Sequence, residues 1–178
     1  MKYVFLTIIS FFILTGCSHE LDTEHYDPSF KKGISELEIY LIKPLDKDRD
    51  VIFRGQKILL TDEMSSKSKW YLNTGNILKS SFEDKGIATT VNVIENEIEA
   101  LSVNNLKNEK NSLIINFYYP RSGDGKKTLE KYNIYAVLNA PKKDAPVWVA
   151  KGSVAIRSET YSDVPNMVVN SLENIGYL

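Results

Sequence analysis

The chain predicts an α+β fold, a two-layer α/β sandwich whose mainly antiparallel sheet carries two helices on one face. Three observations predict it. Apolar and polar residues alternate through several short segments, three of them in succession between Leu113 and Ile156, which is the period of half-buried strands. Two other segments, 61–86 and 163–176, place apolar residues three and four apart and stop at glycine. Helices of that kind need an apolar surface to cover, and a sheet with one apolar face supplies it.

The N-terminus is an export signal by layout. Met1-Lys2 is a small positive start, and Tyr3 to Ile13 is almost wholly apolar but too short for a span of about 20 residues. Leu14-Thr15-Gly16-Cys17 closes it and holds the only cysteine. This ending resembles the lipobox of bacterial lipoproteins. The resemblance implies cleavage between Gly16 and Cys17, a diacylglyceryl group on the Cys17 thiol, and acylation (palmitate, for example) of the new amine. Ser18 is the type of residue that follows the cysteine in lipoproteins sent to the outer membrane, so the expected location is that membrane, lipid-anchored on its periplasmic face. The sequence divides into a signal peptide (1–16), a lipidated cysteine and flexible tether (17–33), and a single domain (34–178). The tether is polar and lacks a period.

Within the domain, Leu37, Ile39 and Leu41 alternate with Glu36, Glu38 and Tyr40 as a strand that Pro44 closes. Val51–Phe53 and Lys57–Leu60 read as further strand, with Gly55 at a turn or bulge. A helix follows, capped by Thr61 or Asp62, with Ser65 and Ser66 as alternatives. Trp70, Thr74, Ile77, Leu78, Ser81 and Phe82 share one face of it; Gly75 interrupts it at about 1 kcal/mol relative to Ala, and Gly86 ends it. Ile87, Thr89, Val91 and Val93 alternate as the next strand, while 95–110 reads either as a short helix or as a partly ordered insertion. Leu113 to Tyr119, Tyr132 to Leu138 and Trp148 to Ile156 form a meander joined through a hairpin loop at 121–126 and a turn at 141–146. The last helix starts at Asp163 as cap, with Pro165 in its first turn, and ends at Gly176. Ser81 to Ile87 and Ser171 to Tyr177 end the two helices alike, which reads either as a duplicated half or, in preference, as a common terminating pattern arising twice.

Composition narrows the function. Removing 1–16 removes only Lys2 from 22 basic and 23 acidic residues, leaving a charge near −2 on about 162 residues. That balance argues against a nucleic-acid partner, which requires a basic face. It also argues against electrostatic membrane binding, so attachment is expected to fall to acyl chains on Cys17, each buried CH₂ contributing about 0.8 kcal/mol. With Cys17 lipidated no thiol remains for a disulfide.

No constellation names a reaction, and no metal or cofactor is expected. His19 and His25 fall in the expected tether, away from any scaffold that could hold a catalytic base or a zinc ion. Asp46, Asp48 and Asp50 open like a calcium loop, but Val51 stands where glycine is needed and Lys57 where the bidentate glutamate belongs. Ser122 to Lys127 lacks both the Ser/Thr and the following helix of a phosphate loop. Glu36 and Glu38, and Glu95, Glu97 and Glu99, are paired carboxylates on exposed faces. Tyr118, Tyr119, Tyr132, Tyr135, Trp148 and Tyr161 make the meander aromatic. Tyr118, Tyr135 and Trp148 are the candidates for a partner or ligand surface on the uncovered sheet face, core packing being the alternative.

From Tyr26-Asp27-Pro28-Ser29-Phe30 onward the chain resembles a family of uncharacterised bacterial envelope lipoproteins. The resemblance is carried by Ile77-Leu78, Phe82 to Gly86, Leu113 to Phe117, Pro146 to Gly152 and Val164 to Gly176; Ala150-Lys151 and the stretch 95–110 depart from the pattern. It implies an α/β sandwich in the envelope and offers no catalytic residues. A second resemblance, over Arg49 to Phe53 and the helix bearing Trp70, is to auxiliary lipoproteins of envelope lipid-transport ABC systems. The expectation is therefore a non-enzymatic periplasmic interaction or assembly module with an envelope protein partner. The alternative is a carrier of lipid or another small apolar ligand linked to transport.

Overall fold

The structure is a computed structural model that describes residues 20–30, 33–44, 51–53, 56–58, 61–104, 110–120, 131–155 and 160–178. The expected signal, Cys17, His19, the aspartate-rich loop at 46–50, Gly55 and the hairpin loop at 121–126 lie outside them.

The central sheet is built from β1 (Asp22–Tyr26), β2 (Glu36–Ile42), β5 (Ala88–Ile94), β6 (Ser112–Tyr118), β7 (Lys131–Asn139) and β8 (Trp148–Ala155). Their spatial order is β1-β8-β7-β6-β2-β5. The expected meander is β6-β7-β8, antiparallel throughout, and β1 adds antiparallel to β8. β2 instead runs parallel to both β5 and β6, which makes the sheet mixed. β3 (Val51–Phe53) and β4 (Gln56–Ile58) form a separate antiparallel pair.

Helices α1 (Thr61–Glu83) and α3 (Asp163–Asn174) cover one face of the sheet. There Leu37, Ile39 and Leu41 of β2 meet Leu113, Ile115 and Phe117 of β6, and Ile134, Ala136 and Leu138 of β7, all at most 2% exposed. α1 contributes Trp70, Tyr71, Leu78 and Phe82; α3 contributes Val164, Met167, Val168 and Leu172. Four rings, Trp70, Tyr71, Phe117 and Tyr132, fill the space beneath α1 with centroids 5.2 to 5.9 Å apart, mostly edge to face. Gly75 does more than interrupt α1. A Cβ there would lie 2.9 Å from Val91 Cγ1, so the glycine lets the helix approach β5.

Both helices stop by the same geometry. Gly86 and Gly176 sit at φ +79° and +78°; Ile87 N–H donates to Phe82 O (3.1 Å) and Tyr177 N–H to Leu172 O (2.9 Å), the Schellman arrangement. At the start of α3 the expectation is corrected. Ser162 occupies the cap position without a side-chain cap bond, and Asp163 is the first helical residue, where its charge suits the helix dipole.

Residues 97–104, within the ambiguous stretch, form a third helix, α2 (Glu97–Asn104), on the opposite sheet face. Its Ala100 and Val103 pack on Ile42, Ile94 and Ile114 in a small second core. Its placement has a topological cause. Crossovers between parallel strands keep one hand. The chain steps outward from β2 to β5 through α1 and then back across β2 to β6 through α2, so crossovers of one hand fall on opposite faces.

The tether assignment is also corrected. Residues 22–26, all exposed, are strand β1, and Leu21 before them is 4% exposed. An edge strand with no buried face of its own leaves no alternation in the sequence, and it is held by backbone pairing and by the residues at its two ends.

Candidate functional site

The arm formed by 20–30 is fastened at both ends. At the start, Leu21 seats against Gly152, where a Cβ would lie 2.6 Å from Leu21 Cδ2 and 3.0 Å from Met167 Cε. Ser171 Oγ accepts from Leu21 N–H (3.2 Å) and donates to Leu21 O (3.3 Å). Along the strand, Trp148 Nε1–H donates to Thr23 Oγ1 (3.2 Å), and the Lys151 ammonium pairs with Glu24. At the far end the Asp27 carboxylate accepts from Ser29 N–H (2.8 Å), Ser29 Oγ–H (2.6 Å) and Lys143 Nζ (2.8 Å). Lys143 first, and Ser29 second, hold that carboxyl well below the usual range. The Tyr177 hydroxyl accepts Asp27 N–H (2.9 Å) and lies 2.7 and 2.8 Å from the carbonyls of Asp27 and Val147, while Phe30 packs on its ring edge-on at 4.9 Å.

The outer face of β6, β7, β8 and β1 carries the candidate surface. Register places Asn116 opposite Tyr135 and Tyr118 opposite Asn133, so Tyr118 and Tyr135 are diagonal neighbours on one face, with Lys151 opposite Tyr135 on the next strand. Tyr118 is 43% exposed. Burial first, then the negative charge of Glu24 and the neighbouring Tyr135, push its phenol upward against the opposing pull of Lys151. The Lys151 ammonium is itself raised by its bond to Glu24. A shallow depression of about 430 Å³ opens here between Glu20, Asp22, Tyr118, Asn133, Lys151 and Ser153. Phenol rings, carboxamides and one ion pair make a surface for apolar contact and hydrogen bonding.

Of the three residues expected on this surface, the structure brings Tyr118 and Tyr135 together. Trp148 is not with them. It pairs with Leu138, shares the helix-covered face, and is fully buried with its indole N–H on Thr23. Gly152 and Leu21, which fasten the arm, were missed. No sequence signal marks them: Leu21 is a single leucine in a polar stretch, and Gly152 alternates like the other inward residues of β8. His25 stands exposed on β1 rather than in a tether.

The carboxylates divide among different surroundings. Glu38 accepts from Lys110 Nζ and Tyr40 Oη (2.7 and 2.8 Å); Lys110 first and Tyr40 second lower its pKa, while burial and Glu38 push Tyr40 up to about 12. Glu38 is therefore held as an anion and Tyr40 as a neutral phenol. Glu95 pairs with Lys43 beyond β5, and Glu99 is exposed on α2. Among the described residues no three His, Cys, Asp or Glu side chains gather as a metal site, and no helix is long and apolar enough to cross a membrane.

No family model and no curated protein matches the chain. Solved structures with a related chain path include the PelC dodecamer from Paraburkholderia phytofirmans, at 15% identity and TM-score 0.40, covering 90% of this chain and 99% of that one. A point variant of the same protein gives 16% identity and TM-score 0.38 over 86% and 95% of the two chains. A DUF330 protein from Xanthomonas campestris gives 13% identity and TM-score 0.31 over 89% and 92%. Likenesses of this degree assign no function.

Proposed function

We propose that the chain is a membrane-anchored bacterial envelope lipoprotein, and that its domain serves without catalysis as a periplasmic interaction or assembly module at the outer membrane. The observation that carries this reading is the Leu14–Cys17 lipobox, which ends four residues before Leu21, the residue by which the arm is built into the fold. An acylated Cys17 would hold the domain close to the bilayer, where an anchored surface meets membrane-bound partners at a raised effective concentration. Ser18 supports the outer membrane as the destination. Tyr118 and Tyr135 suit a protein partner, since rings with a polar tip bury apolar area while keeping a hydrogen bond. The four rings filling the interior beneath α1 favour this surface role over the alternative of a lipid or apolar ligand carrier in an envelope transport system.

The test uses the full chain expressed in bacteria. An alkyne analogue of palmitate should label the wild type and not Cys17→Ala. A photo-crosslinking residue in place of Tyr118 should trap an envelope protein only when Cys17 is present. A wild-type chain that takes no acyl group and fractionates away from membranes would falsify the reading.

A further inference from the structure

The sheet has two ends, and register sorts every strand terminus between them. β2, β5, β6 and β8 finish at one end, with Ile42, Ile94, Tyr118 and Ala155, and β1 and β7 begin there, with Asp22 and Lys131. The N-terminal arm therefore leaves the fold at this end. Leu21 is fixed in the core by Gly152, Met167 and Ser171, and Cys17 stands four residues before it, a reach of at most about 14 Å.

Helix α2 follows β5 at the same end. Its inner face buries Ala100 and Val103; its outer face presents Ile98 and Leu101, one turn apart and 79% and 60% exposed. β1 and β5 are opposite edges of the six-stranded sheet, so the arm and α2 stand about 20–25 Å apart across one end of the domain. Among the described residues at this end, Lys43 and Lys151 are each paired with a carboxylate, on Glu95 and Glu24, while Glu20, Asp22, Glu99 and Lys131 are exposed, so charges of both signs surround the apolar pair.

We infer that this end of the domain is its lipid-facing surface: the acylated Cys17 tethers one edge, and Ile98 and Leu101 of α2 enter the headgroup boundary of the same phospholipid leaflet at the other. The inference rests on the lipoprotein reading above. Two apolar side chains hold a bilayer weakly by themselves, but the anchor makes their insertion intramolecular. Two contacts at opposite edges fix the tilt of the domain. The strands then stand up from the membrane, and the depression beside Tyr118 and Asn133 lies near it.

The native chain has one cysteine, which acylation blocks, so a second can be labelled singly. Acylated protein carrying Ile98→Cys, Leu101→Cys or, at the opposite end of the sheet, Asp144→Cys is labelled with an apolar fluorophore. It is then reconstituted in phosphatidylethanolamine–phosphatidylglycerol vesicles containing lipid with a nitroxide just below the headgroup. Labels at 98 and 101 should be quenched severalfold more than the label at 144, at low and high salt alike. Equal quenching at both ends, or none, in protein whose Cys17 is shown acylated by mass spectrometry overturns the orientation and leaves the anchor standing. Absence of the acyl mass overturns both.

Discussion

Leu21 and Gly152 decide whether the N-terminal segment is linker or fold. Leu21 fills a notch that only a glycine at 152 leaves open, and Ser171 satisfies both of its backbone groups. Leu21→Ala should therefore destabilise the domain by about 2–3 kcal/mol, the cost of a buried leucine truncated near an edge. Urea unfolding measures it, and an unchanged midpoint would return the segment to the role of a tether. A single leucine in a polar stretch carries no period, so this contact was not legible beforehand. Trp148 fails for a related reason. Alternation assigns a residue to a face but does not say which face the helices cover, and Trp148 shares its face with Leu138 and the core rather than with Tyr135. Tyr118 and Tyr135 were legible as candidates because the meander is rich in aromatic residues, but their diagonal adjacency was not, since twelve residues separate β6 from β7 and the strands alone do not set that register.

At the scale of elements, the meander and both long helices were readable, since each carries its own period and stop signal. Gly86 and Gly176 are the clearest of these. Both adopt the left-handed conformation that an L side chain resists, and nothing within 4 Å would obstruct a Cβ, so conformation alone sets the cost of replacement. Gly86→Ala and Gly176→Ala should each cost about 1 kcal/mol, read as a lowered thermal midpoint; no change at either site would mean that the cap does not contribute. The caps also adjoin, because Lys85 beside one pairs with Glu173 beside the other. Strand direction was less legible. A half-buried strand alternates identically whether its neighbour runs parallel or antiparallel, so the parallel placement of β2 between β5 and β6 emerges only from the crossovers, and with it the side on which α2 lies.

For the whole molecule, the arm links acidity to local stability. Asp27 is ionised at neutral pH and its carboxyl is held below the usual range by Lys143 and Ser29. A group depressed on folding contributes stability above its unfolded pKa of 3.8 and loses that contribution as pH falls through the folded value. Amide exchange in β1 should therefore be more strongly protected, relative to β6, at pH 7 than at pH 3, and Asp27→Asn should abolish the difference. An equal pH response in the variant would assign it to other groups. The α+β class follows from the arrangement of periods along the chain. The anchoring of residues 20–30 does not, since it depends on partners more than a hundred residues away.

That separation has a consequence in time. Thr23 bonds to Trp148 across 125 residues of chain, and Leu21 to Ser171 across 150. The first strand made is thus among the last that can pair, because neither β8 nor α3 exists until synthesis is nearly complete. Throughout that interval residues 20–26 lack the strand and the helix that later hold them. Docking of the arm completes the sheet, after which the same residues belong to its edge.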